Sequence, residues 1–172
     1  MMEWSKIVAV ISAVAMLGSC APEVGAPNAS DNPEILAGNA SIRDADTIEI
    51  HGRAIRLSGF DSPEKGSRCG RVNVYAAGAN ALQEFLGQKT VTCHMTGKMN
   101  GDREIGTCEV DGVDLGDFVV GKGWGRDWPK FSQCAYADEE AAAREALAGI
   151  WGLDCPADLW GTRNYDRVKS CP

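Results

Sequence analysis

Histidine and positive charge are both scarce in this chain of 172 residues. The two histidines, His51 and His94, lie in no H-x-H or H-x-K pattern, which excludes mechanisms built on a histidine nucleophile or base. Lysine and arginine number 17 against 24 acidic residues, so the formal net charge is −7. Because an acidic protein attracts polyanions weakly over long range, any contact with nucleic acid must rest on basic residues gathered at one place.

The N-terminal apolar run, Ile7–Leu17, is too short to span a bilayer as a helix. It fits the apolar region of a signal peptide, and the Leu17-Gly18-Ser19-Cys20 that ends it resembles the cleavage box of a bacterial lipoprotein. We therefore expect residues 1–20 to be a lipoprotein-type signal peptide and Cys20 to be lipidated. The protein would be exported to the cell envelope or periplasm and meet the membrane only through this anchor. The alternative is ordinary secretion with cleavage near Ala21.

The seven cysteines include no C-x2-C or C-x4-C pair, so no zinc site is expected. Setting Cys20 aside leaves an even number in a chain with an export signal, which predicts three disulfides. The remaining six are Cys69, Cys93, Cys108, Cys134, Cys155 and Cys171. Six cysteines can pair in many ways, and their spacing alone does not choose among them.

A β-hairpin is predicted at the start of the domain. Ile48-Glu49-Ile50 alternates apolar with polar, His51-Gly52 is a candidate two-residue turn, and residues 54–60 alternate again. Side chains two apart on a strand share a face. Asp44 and Asp46 are therefore expected to continue the row of Ile48 and Ile50, at the rim of an apolar core.

Carboxylates and a guanidinium are concentrated around this hairpin. Two more acids, Asp61 and Glu64, follow it, and Arg56 lies within it. Clustered oxygen ligands suit a hard cation such as Ca²⁺ or Mg²⁺, and the planar fork of an arginine suits a phosphate. The combination predicts phosphoryl-transfer chemistry.

The rest of the chain alternates short strands with helices. Residues 21–39 are rich in Pro, Ala and Asn and are predicted to be a flexible tether, before a first strand at 40–50. The other predicted elements are strands at 54–60, 90–94 and 105–110 and helices at Val74–Leu86, Asp114–Lys122 and Ala135–Ile150. Five short strands with three helices suit an α+β fold that is mainly β, a small closed barrel with helices outside.

These motifs resemble the signature of the thermonuclease, or staphylococcal nuclease-like, family. The first is Asp44-Ala45-Asp46-Thr47, Arg56-Leu57 and Asp61-Ser62-Pro63-Glu64, and the second is Asp102-Arg103-Glu104-Ile105-Gly106-Thr107-Cys108 with Asp111-Gly112. The likeness covers residues 40–152 and implies a nuclease-like domain on a five-stranded OB-fold barrel with three packed helices. Residues 153–172 would form a C-terminal tail.

The resemblance implies a calcium site and a general base. Asp46, Asp61 and the backbone carbonyl of Ser62 would be ligands of Ca²⁺, which tolerates irregular oxygen shells. Glu64 would orient or deprotonate the attacking water. The alternative is that these acids are turn and surface residues.

The resemblance also implies electrostatic and substrate contacts. Arg56 and Arg103 would neutralise charge that develops on the phosphoryl oxygens, unless they form surface salt bridges instead. Lys65, Trp128 and Phe131 would contact the substrate, the aromatics by stacking on bases, although core packing is the competing interpretation of the aromatics. Tyr136 falls in the same region.

Strand geometry sets one condition on this site. Arg56 and Asp61 are five residues apart, so on an unbroken strand they would face opposite sides. We expect a bend or bulge at Gly59 to bring both into one pocket. Ala45 stands where the family has glycine, so the turn there must avoid a positive φ.

The family fold would also place Cys93 and Cys108 on adjacent antiparallel strands, where they would pair. We then expect Cys155 to pair with Cys171 in a disulfide-stapled tail, which leaves Cys69 with Cys134.

Taken together, the residues and the resemblance predict a monomeric, exported, Ca²⁺-dependent phosphodiesterase, an endonuclease that hydrolyses DNA or RNA. Two alternatives come from other classes: a non-catalytic OB-fold module of the cell envelope that binds nucleic acid, and an envelope structural protein. Retention of the full set of acids and arginines favours the enzyme, because a pure binder has no use for Glu64 beside two further carboxylates.

Overall fold

The computed structural model describes residues 34–166 and residue 168, all within one compact unit. The predictions for residues 1–20, for Cys20 and for Cys171 fall outside these residues, as does most of the predicted tether. In the part of the chain that is described, no helix is long and apolar enough to cross a membrane.

The fold is α+β and mainly β, as predicted. The strands are β1 Ile35–Asn39, β2 Ser41–Asp44, β3 Thr47–Ile50, β4 Arg53–Leu57, β5 Phe60–Asp61, β6 Arg68–Cys69, β7 Val72–Asn73, β8 Thr90–Asn100, β9 Arg103–Val110, β10 Val113–Asp114 and β11 Arg126–Asp127. The α-helices are α1 Val74–Leu86, α2 Leu115–Gly121, α3 Pro129–Ser132 and α4 Ala137–Glu145, and a 3₁₀ helix follows at Gly149–Gly152.

Seven strands form the main sheet, in the order β1-β8-β9-β4-β3-β2 with β10 paired to β9. All neighbours are antiparallel except β4 and β9, which are parallel. This mixed sheet is consistent with an OB-like fold, but no pairing within the described residues closes it into a barrel. It also has more strands than the five predicted. Ile35–Asn39 pairs with β8 instead of belonging to a tether, residues 40–50 form two strands, and the short β10 pairs with β9.

The first predicted strand, residues 40–50, is in fact two strands joined by a tight turn. β2 and β3 are antiparallel. Asp44 lies opposite Thr47, so the chain reverses at Ala45-Asp46. The backbone N–H of Asp46 donates to Oδ1 of Asp44 over 3.1 Å, a bond typical of aspartate in turns. Asp44 and Asp46 therefore lie at a hairpin tip, and the prediction that they continue the row of Ile48 and Ile50 was wrong.

The second hairpin and the bend after it match the expectations. β3 and β4 pair around His51-Gly52, where both residues have positive φ, 53° and 78°, as in a type I′ turn. β4 ends before Gly59, whose φ is 90°, and the chain then turns into β5. A Cβ at position 59 would come within 2.8 Å of the Tyr136 ring, so glycine is required there for space as well as for φ.

Two predicted helices are present and the third is shorter. α1 begins at Val74 with its N-cap Asn73 accepting from the Ala76 N–H, and α2 follows an Asp114 cap. The predicted helix 135–150 consists instead of α4 and the 3₁₀ helix, because Leu147 and Gly149 take positive φ between them.

The core lies between the sheet and the helices. Its fully buried side chains come from the inward faces of β3, β4 and β8 and from α1 and α2. They include Ile48, Ile50, Ile55, Leu82, Val91, Leu115 and Val119. This core fixes the strand ends from which the polar side chains described below project.

Disulfides join Cys93 to Cys108 and Cys69 to Cys155. The first confirms the predicted pair on β8 and β9, where the two residues lie directly opposite. The second shows that the predicted pairs Cys155–Cys171 and Cys69–Cys134 were wrong, because the tail returns past β6 and brings the Cα atoms of Cys69 and Cys155 to 4.2 Å. Cys134 is disulfide-bonded as well. Such bonds are typical of extracellular or periplasmic proteins.

Candidate active site

A polar cavity of about 190 Å³ collects the residues of both motifs. The hairpin tip at 44–46, β4, the segment 61–64, the start of β9 and the C-terminal segment all reach it. Its charged lining consists of the acids Asp44, Asp46, Asp61 and Glu64 and the arginines Arg56, Arg103 and Arg163. The fold therefore brings together residues as far apart in the sequence as Asp44 and Arg163.

Asp46 lines the cavity and is buried. Its Oδ1 accepts from the Thr47 hydroxyl and its Oδ2 from the Ser62 hydroxyl, both over 2.9 Å. Nη2 of Arg56 lies 3.2 Å from Oδ2, and Nη1 of Arg103 lies 3.8 Å from Oδ1. Burial alone would raise the pKa of Asp46, but the charge of Arg56 and the hydrogen bonds around the carboxylate outweigh it and lower the pKa.

Arg56 is held in place by the backbone as well as by the acids. Its Nη1 donates to the Leu57 carbonyl over 2.8 Å and its Nη2 to the Phe60 carbonyl over 2.9 Å. The same Nη2 lies 3.5 Å from Oδ1 of Asp61. The bend at Gly59 thus brings Arg56 and Asp61 to one pocket, as expected. A guanidinium fixed in this way is a preorganised positive charge.

Asp61 is almost fully buried, with a side chain 3% exposed. Burial raises the pKa of this carboxyl group, although Tyr165, Arg163 and Arg56 act in the opposite direction. The Tyr165 hydroxyl donates to its Oδ2 over 2.5 Å, and Nη1 of Arg163 lies 3.2 Å from the same oxygen.

Asp44 is half-buried at the hairpin tip, next to a second carboxylate. Burial and then the negative charge of Asp46 raise the pKa of Asp44 to about 6. A site that crowds two carboxylates in this way favours a bound proton or a cation.

Glu64 is exposed, with a side chain 67% accessible, and it forms an ion pair with Nη2 of Arg163. Ser62 is buried, and its hydroxyl donates to Asp46. The predicted role of Ser62 as a calcium ligand concerns its backbone carbonyl, which is a different group. Arg103 donates from Nη1 to the Thr47 hydroxyl over 2.8 Å and from Nη2 to Oδ1 of Asn100 over 2.7 Å.

The predicted substrate-binding residues have separate positions. Trp128 lines the cavity and also a neighbouring pocket of about 70 Å³ that includes Phe131. Phe131 is 55% exposed, and its ring meets that of Trp128 edge to face at 4.8 Å. Lys65 is exposed beside Glu64 in the chain but does not line the cavity. Tyr136 is buried in the core, so base stacking by this residue is excluded.

The sequence did not point to Arg163 and Tyr165. Both lie in the tail, which has no apolar periodicity. The available signal was an arginine and a tyrosine close together beyond Trp160, in a stretch bounded by cysteines.

The donor set of the cavity fits a hard cation in kind, since every candidate ligand is an oxygen. Asp46 and Asp61 are the two buried carboxylates that face it. Within the described residues, however, no group of three or more His, Cys, Asp or Glu converges closely enough to hold a metal ion. Any further ligands would have to be hydroxyl, carbonyl or water oxygens.

Comparison with known proteins gives two similarities, and no family model matches the chain. Over 119 residues the chain is 30% identical to the probable staphylococcal-like nuclease CAN4 of Oryza sativa subsp. japonica. This chain is similar to a nuclease. It is also 34% identical over 125 residues to the succinoglycan biosynthesis protein ExoI of Rhizobium meliloti (strain 1021). The matches cover 67% and 69% of this chain, and they span 23% of CAN4 and 65% of ExoI.

Proposed function

We propose that this protein is a calcium-dependent nuclease of the thermonuclease family, a phosphodiesterase that cleaves DNA or RNA outside the cytoplasm. The observation that carries the proposal is the convergence of Asp46, Arg56, Asp61, Glu64 and Arg103 on one cavity. These residues come from separate segments of the chain, and a fold that buries two of the acids beside an arginine does so at a cost in desolvation. The similarity to a staphylococcal-like nuclease supports the same activity.

Calcium would be held by Asp46, Asp61 and the Ser62 carbonyl, and when bound it would supply positive charge to a phosphate oxygen. The residues of the chain would do the rest. Glu64 would take the proton from a water molecule as the water oxygen bonds to phosphorus and the opposite P–O bond breaks. The electron pair of that bond would leave with the departing oxygen, which takes up a proton from solvent to become the alcohol product. Arg56 and Arg103 would stabilise the charge that builds up on the phosphoryl oxygens during this step.

Arg56 and Arg103 are suited to this task in different ways. Arg56 is fixed by two carbonyl groups and needs little reorganisation. Arg103 is held by Thr47 and Asn100, and it is more exposed than Arg56. We therefore expect Arg56 to act on the phosphate deep in the cavity and Arg103 to act nearer its mouth.

The non-catalytic binding module is the weaker alternative. A binder gains nothing from burying two carboxylates where a polyanion must approach, because the like charges repel the substrate unless a cation lies between them. The disulfides support a location outside the cytoplasm. Lipidation at Cys20 and a monomeric state stay predictions.

The direct test is digestion of plasmid DNA and of single-stranded RNA by the purified protein, with calcium and then with EGTA. Cleavage in calcium that stops in EGTA is the expected result. Absence of cleavage of both substrates under all metal conditions, together with measurable binding to either, would replace the nuclease by the binding module.

A further inference from the structure

The C-terminal segment Arg163–Tyr165, here called the strap, crosses the edge of the cavity. Arg163 pairs with Asp61 and with Glu64, and Tyr165 donates to Asp61. The carbonyl of Asn164 accepts the indole N–H of Trp128 over 2.9 Å. Each residue of the strap thus contacts a residue that lines the cavity.

The strap is anchored at both of its ends. Before it, the Cys69–Cys155 disulfide ties the tail to β6, near the end of the segment that carries Asp61 and Glu64. At its far end, the Tyr165 ring lies under the guanidinium of Arg126, 4.0 Å from the ring centroid. A segment held in this way can place a side chain reproducibly.

Glu64 has little else to fix it. It follows Pro63 in a segment without regular secondary structure, and its side chain is mostly exposed. Fixing a free glutamate side chain costs rotamer entropy, so an unsupported Glu64 would sample several positions. Within the residues that the structure describes, Arg163 is the one ion-pair partner of Glu64.

We propose that Arg163 is a positioning residue for Glu64. Its two terminal nitrogens belong to one rigid, planar guanidinium, and they bind Oδ2 of Asp61 and Oε1 of Glu64. Asp61 is buried and is also bound by Arg56 and Tyr165, so Arg163 links the exposed glutamate to a carboxylate that other side chains hold in place. The inference rests on the proposed function, in which Glu64 takes the proton from the attacking water.

Two other roles for Arg163 give different kinetics. An arginine that binds the substrate phosphate itself would lower affinity when removed, and KM would rise. An arginine that blocks the cavity would raise kcat/KM when removed. A positioning residue lowers kcat and leaves KM nearly unchanged, because it acts only in the chemical step.

The test is steady-state kinetics of the whole exported protein on a short oligonucleotide with one scissile phosphodiester, in saturating calcium. We expect Arg163→Ala to lower kcat by about 10–100-fold, the usual effect of losing a group that orients a site residue, with KM within about threefold of the parent. Arg163→Lys should recover part of the loss, since it keeps the positive charge and one donor nitrogen but not the planar two-nitrogen fork. Arg43→Ala, which removes an arginine paired with Glu49 on the surface, is the matched control and should leave kcat unchanged.

A double-mutant cycle shows whether Arg163 affects kcat through Glu64 or independently of it. In a Glu64→Gln background, Arg163→Ala should change kcat by less than about threefold, because there is no base left to position. Full, additive loss in that background would overturn the inference, as would a rise in KM or in kcat/KM. If Glu64→Gln alone cleaves as fast as the parent, Glu64 is not the general base and the proposed mechanism is wrong, whatever the effect of Arg163→Ala.

Calcium binding gives a readout that does not depend on activity. Calorimetric titration of Arg163→Ala with calcium should show affinity equal to or tighter than that of the parent, since a cation has been removed from beside Asp61. Weaker calcium binding that accounts for the loss of kcat would overturn the inference. If circular dichroism shows that Arg163→Ala does not fold, Arg163→Gln replaces it in the same measurements.

Discussion

Arg56 and Asp46 form a nearly buried ion pair: Nη2 of Arg56 lies 3.2 Å from Oδ2 of Asp46, and the side chains are 11% and 10% exposed. Burying two charges costs several kcal/mol of desolvation, which the pair recovers only in part. Such a pair is weak evidence for stability and better evidence that both groups are needed where they are. Both members of the pair also contact other charged groups of the cavity: Arg56 approaches Asp61, and Asp46 is approached by Arg103.

This pair predicts that removing the buried arginine destabilises the protein far more than removing an arginine from a surface ion pair. Arg56→Ala would leave Asp46 buried beside Asp44 without its nearest cation, and we expect a loss of about 3–5 kcal/mol in the free energy of unfolding. Arg43→Ala breaks an exposed pair with Glu49 and should cost less than about 1 kcal/mol. Urea unfolding in EDTA measures both, and equal small losses would show that the Asp46 carboxylate is not desolvated.

Asp44 predicts a pH dependence of stability when no metal is bound. Its pKa is raised in the folded state to about 6, so the folded protein holds this proton more tightly than the unfolded chain does. The resulting stabilisation is complete below the unfolded pKa, near 4, and is lost as the pH rises through about 6. Asp44→Asn does not have this dependence.

The check compares the parent with Asp44→Asn by urea unfolding in EDTA at pH 5 and at pH 8. Between these values the parent should lose about 1–2 kcal/mol relative to the variant, a figure reduced because Asp44 is only partly buried. A difference between the two proteins that stays constant with pH would show that Asp44 is charged throughout.

Phe131 predicts a contribution to binding by stacking. Because this exposed ring packs against Trp128, which lines the cavity, Phe131→Ala in a Glu64→Gln protein should weaken the binding of single-stranded DNA by about 1–3 kcal/mol. Leu147→Ala is a suitable control, since Leu147 is also largely exposed but lines neither the cavity nor the neighbouring pocket that Phe131 shares with Trp128. Fluorescence anisotropy in calcium measures the affinities, and equal Kd values for the two variants would remove Phe131 from the binding surface.

Local patterns in the sequence predicted those parts of the fold that depend on neighbouring residues. The helix at Val74–Leu86, the His51-Gly52 turn and the bend at Gly59 all follow from local periodicity or from glycine. The reversal at Ala45-Asp46 did not, because the same alternation fits one long strand or two short ones. Only the tertiary structure decides between them.

The site was predictable where it lay in the motifs and unpredictable where it came from the tail. Arg163 contacts Glu64 across 99 positions, through a loop closed by the Cys69–Cys155 disulfide. Neither that pairing nor the position of the tail leaves a local pattern, since cysteine spacing does not determine connectivity. For the same reason, two of the three expected disulfides were wrong.

The central claim is that Glu64 is the general base of a calcium-dependent phosphodiesterase, and a matched pair of variants tests it most directly. Glu64→Gln and Glu84→Gln make the same chemical change, the first at the cavity and the second on the exposed side of α1. The measurement is single-turnover cleavage of one phosphodiester bond in calcium, with calcium affinity and folding checked for both. We predict that Glu64→Gln slows cleavage by about 10²–10³-fold and that Glu84→Gln does not. Equal cleavage rates for the two variants and the parent would contradict the account.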